Sequence, residues 1–220
     1  MTDLLIVKLL HLLFFVYWLG GDLGTFYASR FLVRKGLTTQ QRSTALTIMM
    51  GVDQGPRLCM PLTLASGIHL AVGMGMVQAP ALLVPLAWLI SSGWFAMVLL
   101  LHFGHGRSYV PSLTRFDFIF RILVILCCVG AAVAGNAAAM VTDRIAVKLA
   151  VFAALVACGL GIRLSLKPFG LLWAQMLTKG ISEPGDRQLR AALAKARNFV
   201  YLIWAGLLVN AAIGIHLISL

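Results

Sequence analysis

The sequence predicts an all-α fold: a polytopic membrane protein whose single domain, residues 1–220, is a bundle of six transmembrane helices. Three observations predict it. Hydrophobic residues make up 60% of the chain and charged residues 11%, against about 25% charged in an average soluble domain. Six segments each supply the roughly 20 mostly apolar residues that a helix needs to cross a bilayer. The basic residues fall between those segments, and mostly on alternate connections. A mean hydropathy of +0.94 excludes a soluble globular domain or a disordered chain. The net charge of +11 follows the positive-inside pattern and does not indicate a nucleic-acid partner.

The expected spans are Leu4–Gly24, Leu58–Val77, Leu82–Phe103, Ile119–Met140, Ile145–Ser165 and Phe199–Ser219. Thr25–Val33 still reads as helical and amphipathic, which would carry the first span on to about Leu32. That span has no basic n-region and no A-x-A site, and it exceeds a typical signal-peptide core, so it reads as a mature helix. The polar stretches Arg34–Arg57 and Lys167–Arg197 read as connecting loops, the second with an amphipathic helix over Gly185–Arg197.

Lysine and arginine set the orientation. Arg30, Arg34, Lys35, Arg42 and Arg57 follow the first span; Arg107, Arg115 and Arg121 follow the third. Arg163, Lys167, Lys179, Arg187, Arg190, Lys195 and Arg197 follow the fifth, which puts fifteen of the eighteen on one side. Lys8, Arg144 and Lys148 are the remainder. The expectation is a bacterial-type inner (plasma) membrane, with both termini outside and the first, third and fifth loops in the cytoplasm.

Two short strings recur. Val7-Lys8-Leu9 in the first span matches Val147-Lys148-Leu149 in the fifth, and Gly67-Ile68-His69-Leu70 in the second matches Gly214-Ile215-His216-Leu217 in the sixth. The order and direction fit a parallel internal repeat; chance matching of short apolar strings is the alternative. The repeat would make His69 and His216 equivalent, with Val151 at the position of His11.

Ionisable groups at membrane depth are costly and mark function by default. At about 1.5 Å per residue, His11 and His69 lie roughly 10 and 12 Å below the outer boundary and His216 roughly 5 Å below it. Histidines at matched depth on different helices suit the two faces of a haem iron. His11 and His69 meet that requirement, with His216 in reserve. Lys8 stands about one turn above His11 and would pair with a haem propionate. The bland alternatives are interhelical hydrogen bonding and a Lys8 that snorkels to the interface. His102 and His105 share a face at the cytoplasmic end of the third span, close to Asp22, Arg30, Asp53, Arg57, Arg107 and Arg115. That cluster reads either as interfacial ion pairing or as a proton path or a quinone or partner docking site. Met74 and Met76 form an M-x-M beyond His69, a thioether set suited to copper(I) or to simple packing. Cys59, Cys127, Cys128 and Cys158 read as small buried hydrophobes. Walker-type, G-x-G-x-x-G, H-E-x-x-H and G-x-S-x-G motifs are absent.

The first span reads KLLHLLFFVYWLGG from Lys8 to Gly21. Its Lys8, His11, Trp18, Gly20 and Gly21 resemble the first helix of a superfamily of small membrane proteins. That superfamily includes the haem-b membrane protoporphyrinogen oxidase and the CopD copper-resistance membrane proteins. Thr63-Leu64-Ala65-Ser66-Gly67-Ile68 is similar to the T-L-x-S-G-[LI] stretch of the oxidase branch. The resemblance covers the first two spans and implies His11 as a haem ligand. It also implies a lysine in the third helix; Leu82–Phe103 has none, and His69 would supply a second ligand instead. The copper branch would bring more helices and a longer chain.

The sequence thus leads to a membrane haem-b protein that transfers electrons, as an oxidoreductase or as the membrane subunit of one, linked to a quinone or a redox partner protein. The alternatives are a copper-handling transporter using His11, His69, His216, Met74 and Met76, and a cofactor-free scaffold subunit. Homo- and hetero-oligomers both remain open.

Overall fold

A computed structural model describes residues 2–104 and 106–218. Its α-helices are α1 (Thr2–Ser29), α2 (Thr39–Val52), α3 (Gln54–Gly73), α4 (Leu83–Phe103), α5 (Val110–Ala137), α6 (Asp143–Ser165), α7 (Phe169–Lys179) and α8 (Glu183–Gly214). Six of them, α1, α3, α4, α5, α6 and α8, have 20 residues or more and follow the expected spans in order. Five of the six are long and apolar enough to cross a membrane. The exception is α3, which carries Gln54, Arg57, Thr63, Ser66 and His69 in 20 residues.

The exterior shows why this chain belongs in lipid. Leu5, Ile6, Leu9, Leu12, Leu13 and Val16 are exposed along α1, as are Phe116, Ile119, Leu123, Leu126 and Val133 along α5. Apolar belts of that length have no solvent-stable counterpart on a monomer in water. Helices satisfy their own backbone groups, so they tolerate such surroundings. The chain is a polytopic helical membrane protein.

Neighbour relations close into a ring: α1 packs on α3, α3 on α4, α4 on α5, α5 on α6, α6 on α8 and α8 on α1. Trp18, Cys59, Met60, Trp94, Phe152, Val156 and Leu207 fill its centre. Trp18 of α1 meets Phe152 of α6 edge-on across the middle, with ring centroids 6.1 Å apart. A short antiparallel bridge joins the α3–α4 and α5–α6 connections through Val77 and Val141. Met76 and Met140 lend their carbonyls to it, which removes both residues from the helices the sequence predicted for them.

The polar stretches are more helical than expected. Arg34–Arg57 holds α2, whose start is fixed by a capping box: the Thr38 hydroxyl accepts from the Gln41 backbone N–H, and the Gln41 side chain accepts from that of Thr38. The stretch Lys167–Arg197 contains α7. The amphipathic segment Gly185–Arg197 is not a separate helix; it runs unbroken into the last span as the first half of α8. At 32 residues α8 is roughly 48 Å long, well beyond a bilayer core, so this half projects out. There it packs with α2 and α7 around Leu32, Met49, Trp173, Met176 and Leu193.

Arg42, almost fully buried, locks this small platform. It donates to both carboxylate oxygens of Asp186 at 2.5 and 3.1 Å and to the Arg34 carbonyl at 3.1 Å. The Arg42 hydrogen bonds hold the Asp186 carboxyl below its usual range. Asp186 lies some three turns ahead of the apolar part of α8, outside the spanning segment. A carboxyl depressed on folding contributes stability that is full above its unfolded pKa and is lost as pH falls from there through its lower folded pKa. The platform should therefore loosen below about pH 4. Limited proteolysis between α7 and α8 should rise there in the unmodified chain. In Asp186→Asn that step should be missing, with cleavage already raised at neutral pH.

Candidate functional site within the bundle

The α1–α3 seam places one imidazole under close control. Gly67 of α3 faces His11 of α1, and a Cβ at Gly67 would lie 3.2 Å from the ring's Cε1. The missing side chain is what lets the ring lie against α3. Beside it stands Ser66, fully buried. Its single hydroxyl hydrogen goes to the Leu62 carbonyl at 2.6 Å, the back-bond a helical serine makes to residue i−4. The 2.8 Å bond between His11 Nδ1 and Ser66 Oγ must then be donated by His11. The neutral ring carries its proton on Nδ1 and keeps its Nε2 lone pair. Metal-ligating histidines are oriented in this way, by a bond at the other nitrogen.

Lys148 of α6 reaches towards α8. It is partly buried, and its Nζ occupies the space beside Gly214 of α8, 3.0 Å from where a Cβ would stand. The Asn210 amide donates to the Lys148 carbonyl at 3.4 Å. Its own Oδ1 is buried and has no partner among the described residues. Each glycine of the two G-I-H-L strings thus receives a polar side chain from the helix bearing the matching V-K-L string. In one pair it is His11, in the other Lys148 itself.

The other sequence-predicted residues have separate surroundings. His69 faces α4, where the Trp88 indole N–H donates to its Nδ1 at 3.2 Å. Indole only donates, so the neutral His69 ring bears its proton on Nε2, the reverse of His11. His216 lies just past α8 in a left-handed turn (φ 62°) and hydrogen-bonds Arg144 at 3.3 Å. Lys8 is exposed on the outside of α1. Met74 caps α3 in an exposed position, and Met76 belongs to the bridge. His102 packs edge-on against Phe103; His105 lies outside the described residues. Among the described residues no three His, Cys, Asp or Glu side chains converge as a metal-holding group. The four cysteines are unbridged, and Cys127 is exposed where a buried position was expected.

A second polar centre lies in the half of the bundle that bears most of the arginines, and the sequence reading missed it. Asp117 of α5 is fully buried. It accepts from Arg121 Nε on both oxygens at 3.1 Å and from Arg163 Nη2 of α6 at 2.6 Å. The Arg121 guanidinium lies over the Trp94 ring, 5.3 Å from its centroid, with Nη1 3.7 Å from Met60 Sδ. One carboxylate thus ties α5 to α6, and its arginine reaches α3 and α4. Asp53 and Arg57 pair one turn apart at the start of α3. The D-x-x-x-R spacing of Asp117 and Arg121 was visible in the sequence; the third member was not.

Comparison of this chain with protein-family models, curated proteins and solved structures finds no match.

Proposed function

We propose that the chain is a membrane haem-b protein for electron transfer, in which His11 would hold the haem iron. The observation that carries this reading is the polarity of the His11–Ser66 bond, which leaves Nε2 free on a ring fixed between two helices. When bound, haem b would supply a one-electron iron couple. The protein's part is to hold and bias it. Ser66 fixes the ring's tautomer and orientation. Lys148, partly buried on α6, would take the carboxylate-pairing role first read for exposed Lys8.

His69 is the proposed second ligand, with His216 in reserve. Ligation through His69 Nε2 would require the proton to move to Nδ1, and so would require Trp88 to release that nitrogen. His11 and His69 would then hold the group together; with Trp88 keeping His69, His11 would be the sole histidine to hold it. In this reading electrons pass to or from a quinone or a partner protein. The Lys/Arg bias supports an inner-membrane orientation with both termini outside and α3 as the sixth span.

The visible spectrum of detergent-purified protein, as isolated and after dithionite, tests the proposal. A Soret band that sharpens and shifts on reduction, with resolved α and β bands, is the expected result. A featureless spectrum from haem-replete cells would refute it. It would leave copper handling, read from metal uptake in Met74 and Met76 variants, or a scaffold role, read from a co-purifying partner.

A further inference from the structure

α4 and α5 follow one another in the chain, yet each packs mainly on its other neighbour, α4 on α3 and α5 on α6. They meet where Phe120 packs edge-on against Trp94, centroids 5.3 Å apart, and leave a gap between Leu100 and Phe116. The gap is a groove of two adjoining cavities, of about 480 and 530 Å³, which share Leu100 and Tyr109. Leu100, Leu113 and Phe116 supply apolar wall beside Ser112 and Tyr109, and Arg107 supplies the charge among the described lining residues. Leu100, Tyr109 and Phe116 are exposed along it, so the groove opens sideways onto the surroundings of the bundle.

The lining is graded: apolar along the helices, cationic at the α4–α5 connection. An occupant matching it has a hydrocarbon chain and an anionic, hydrogen-bond-accepting head at the level of Arg107. We infer that this groove binds one anionic phospholipid, with an acyl chain between α4 and α5 and its phosphate at Arg107. The charge argues for a phospholipid over a neutral quinone. A guanidinium grips a phosphate through paired N–H donors, and a neutral head leaves that charge uncompensated. The groove lies at the arginine-rich end, where an anionic leaflet would supply the lipid. The inference does not depend on the haem reading.

The test uses the full chain, delipidated in mild detergent and titrated with phosphatidylglycerol or phosphatidylcholine of identical acyl chains. Binding is read by native mass spectrometry and by thermal shift. The unmodified chain should prefer phosphatidylglycerol. Arg107→Gln, at an exposed position, should weaken phosphatidylglycerol binding about fivefold and leave phosphatidylcholine unchanged. Leu100→Trp, which fills the groove from an exposed site, should weaken both. Lys179→Gln, a cation of the same half on α7, should change neither. Equal binding of the two lipids by the unmodified chain, an undiminished preference in Arg107→Gln, or occupancy by a neutral quinone would overturn the inference.

Discussion

Asp117→Ala should be the most destabilising single substitution in the arginine-rich half of the bundle, costing about 3–5 kcal/mol. The carboxylate is fully buried and serves Arg121 and Arg163 together. Removing it leaves Arg121 in place, itself nearly buried, with only the Trp94 face and Met60 Sδ for company. Arg163 is 31% exposed and can turn outwards, so Arg163→Met should cost much less than Asp117→Ala. The distinction separates loss of a contact from stranding of a charge. If stranding dominates, the double variant Asp117→Leu/Arg121→Met should recover most of the stability, because a buried ion pair and a hydrophobic pair of similar volume differ little. Thermal unfolding in detergent would show it. A double variant no better than Asp117→Ala would mean that the network holds the helices by geometry and not by charge balance. Either way α5 and α6 are the elements at risk.

What could be read from the sequence was whatever repeats along one helix. The six long helices follow from apolar segments of bilayer length, and the one that fails a strict hydropathy test, α3, turns Ser66 and His69 towards neighbouring helices. The capping box that starts α2 was equally visible as Thr38-x-x-Gln41, but a charged stretch between two spans reads as loop by composition. The unbroken run of α8 escaped notice because its amphipathic and apolar halves have different periodicities, although no Gly or Pro separates them between Gln188 and Ala205. The sites depended on helix rotation. His11 and Ser66 are 55 positions apart, and Asp117 and Arg163 are 46 apart. No spacing rule joins such pairs. Matched depth brought His11 and His69 together on paper. In the bundle each has its own partner, Ser66 on α3 and Trp88 on α4.

Within the haem proposal, His11→Ala should abolish or strongly diminish the haem spectrum, whereas Ser66→Ala should keep the ligand and weaken its grip. The reasoning runs through the hydroxyl. Ser66 Oγ accepts the Nδ1 proton while its own hydrogen is held by the Leu62 carbonyl, so it cannot reverse roles. Deleting it frees the ring to turn and to place its proton on either nitrogen, which would take the lone pair away from the iron side part of the time. Loss of such an outer partner typically costs about 10–100-fold in metal affinity. Ser66→Ala should therefore bind haem in titrations of the apo form, with affinity lowered by that factor and a reduced spectrum of unchanged type. Ser66→Thr, which restores the acceptor, should recover the affinity if the extra methyl fits. Gly67→Ala attacks the same ring differently: a Cβ 3.2 Å from Cε1 makes the ring give by a few tenths of an ångström while the Ser66 acceptor stays in place. It should broaden or shift the bands more than it lowers affinity. Full haem retention by His11→Ala would remove His11 from the ligand set, and His69→Ala and His216→Ala would then decide between the remaining imidazoles. Wild-type affinity in Ser66→Ala, with His11→Ala haem-free, would keep the ligand and discard the orienting role, making the buried serine a packing residue of α3.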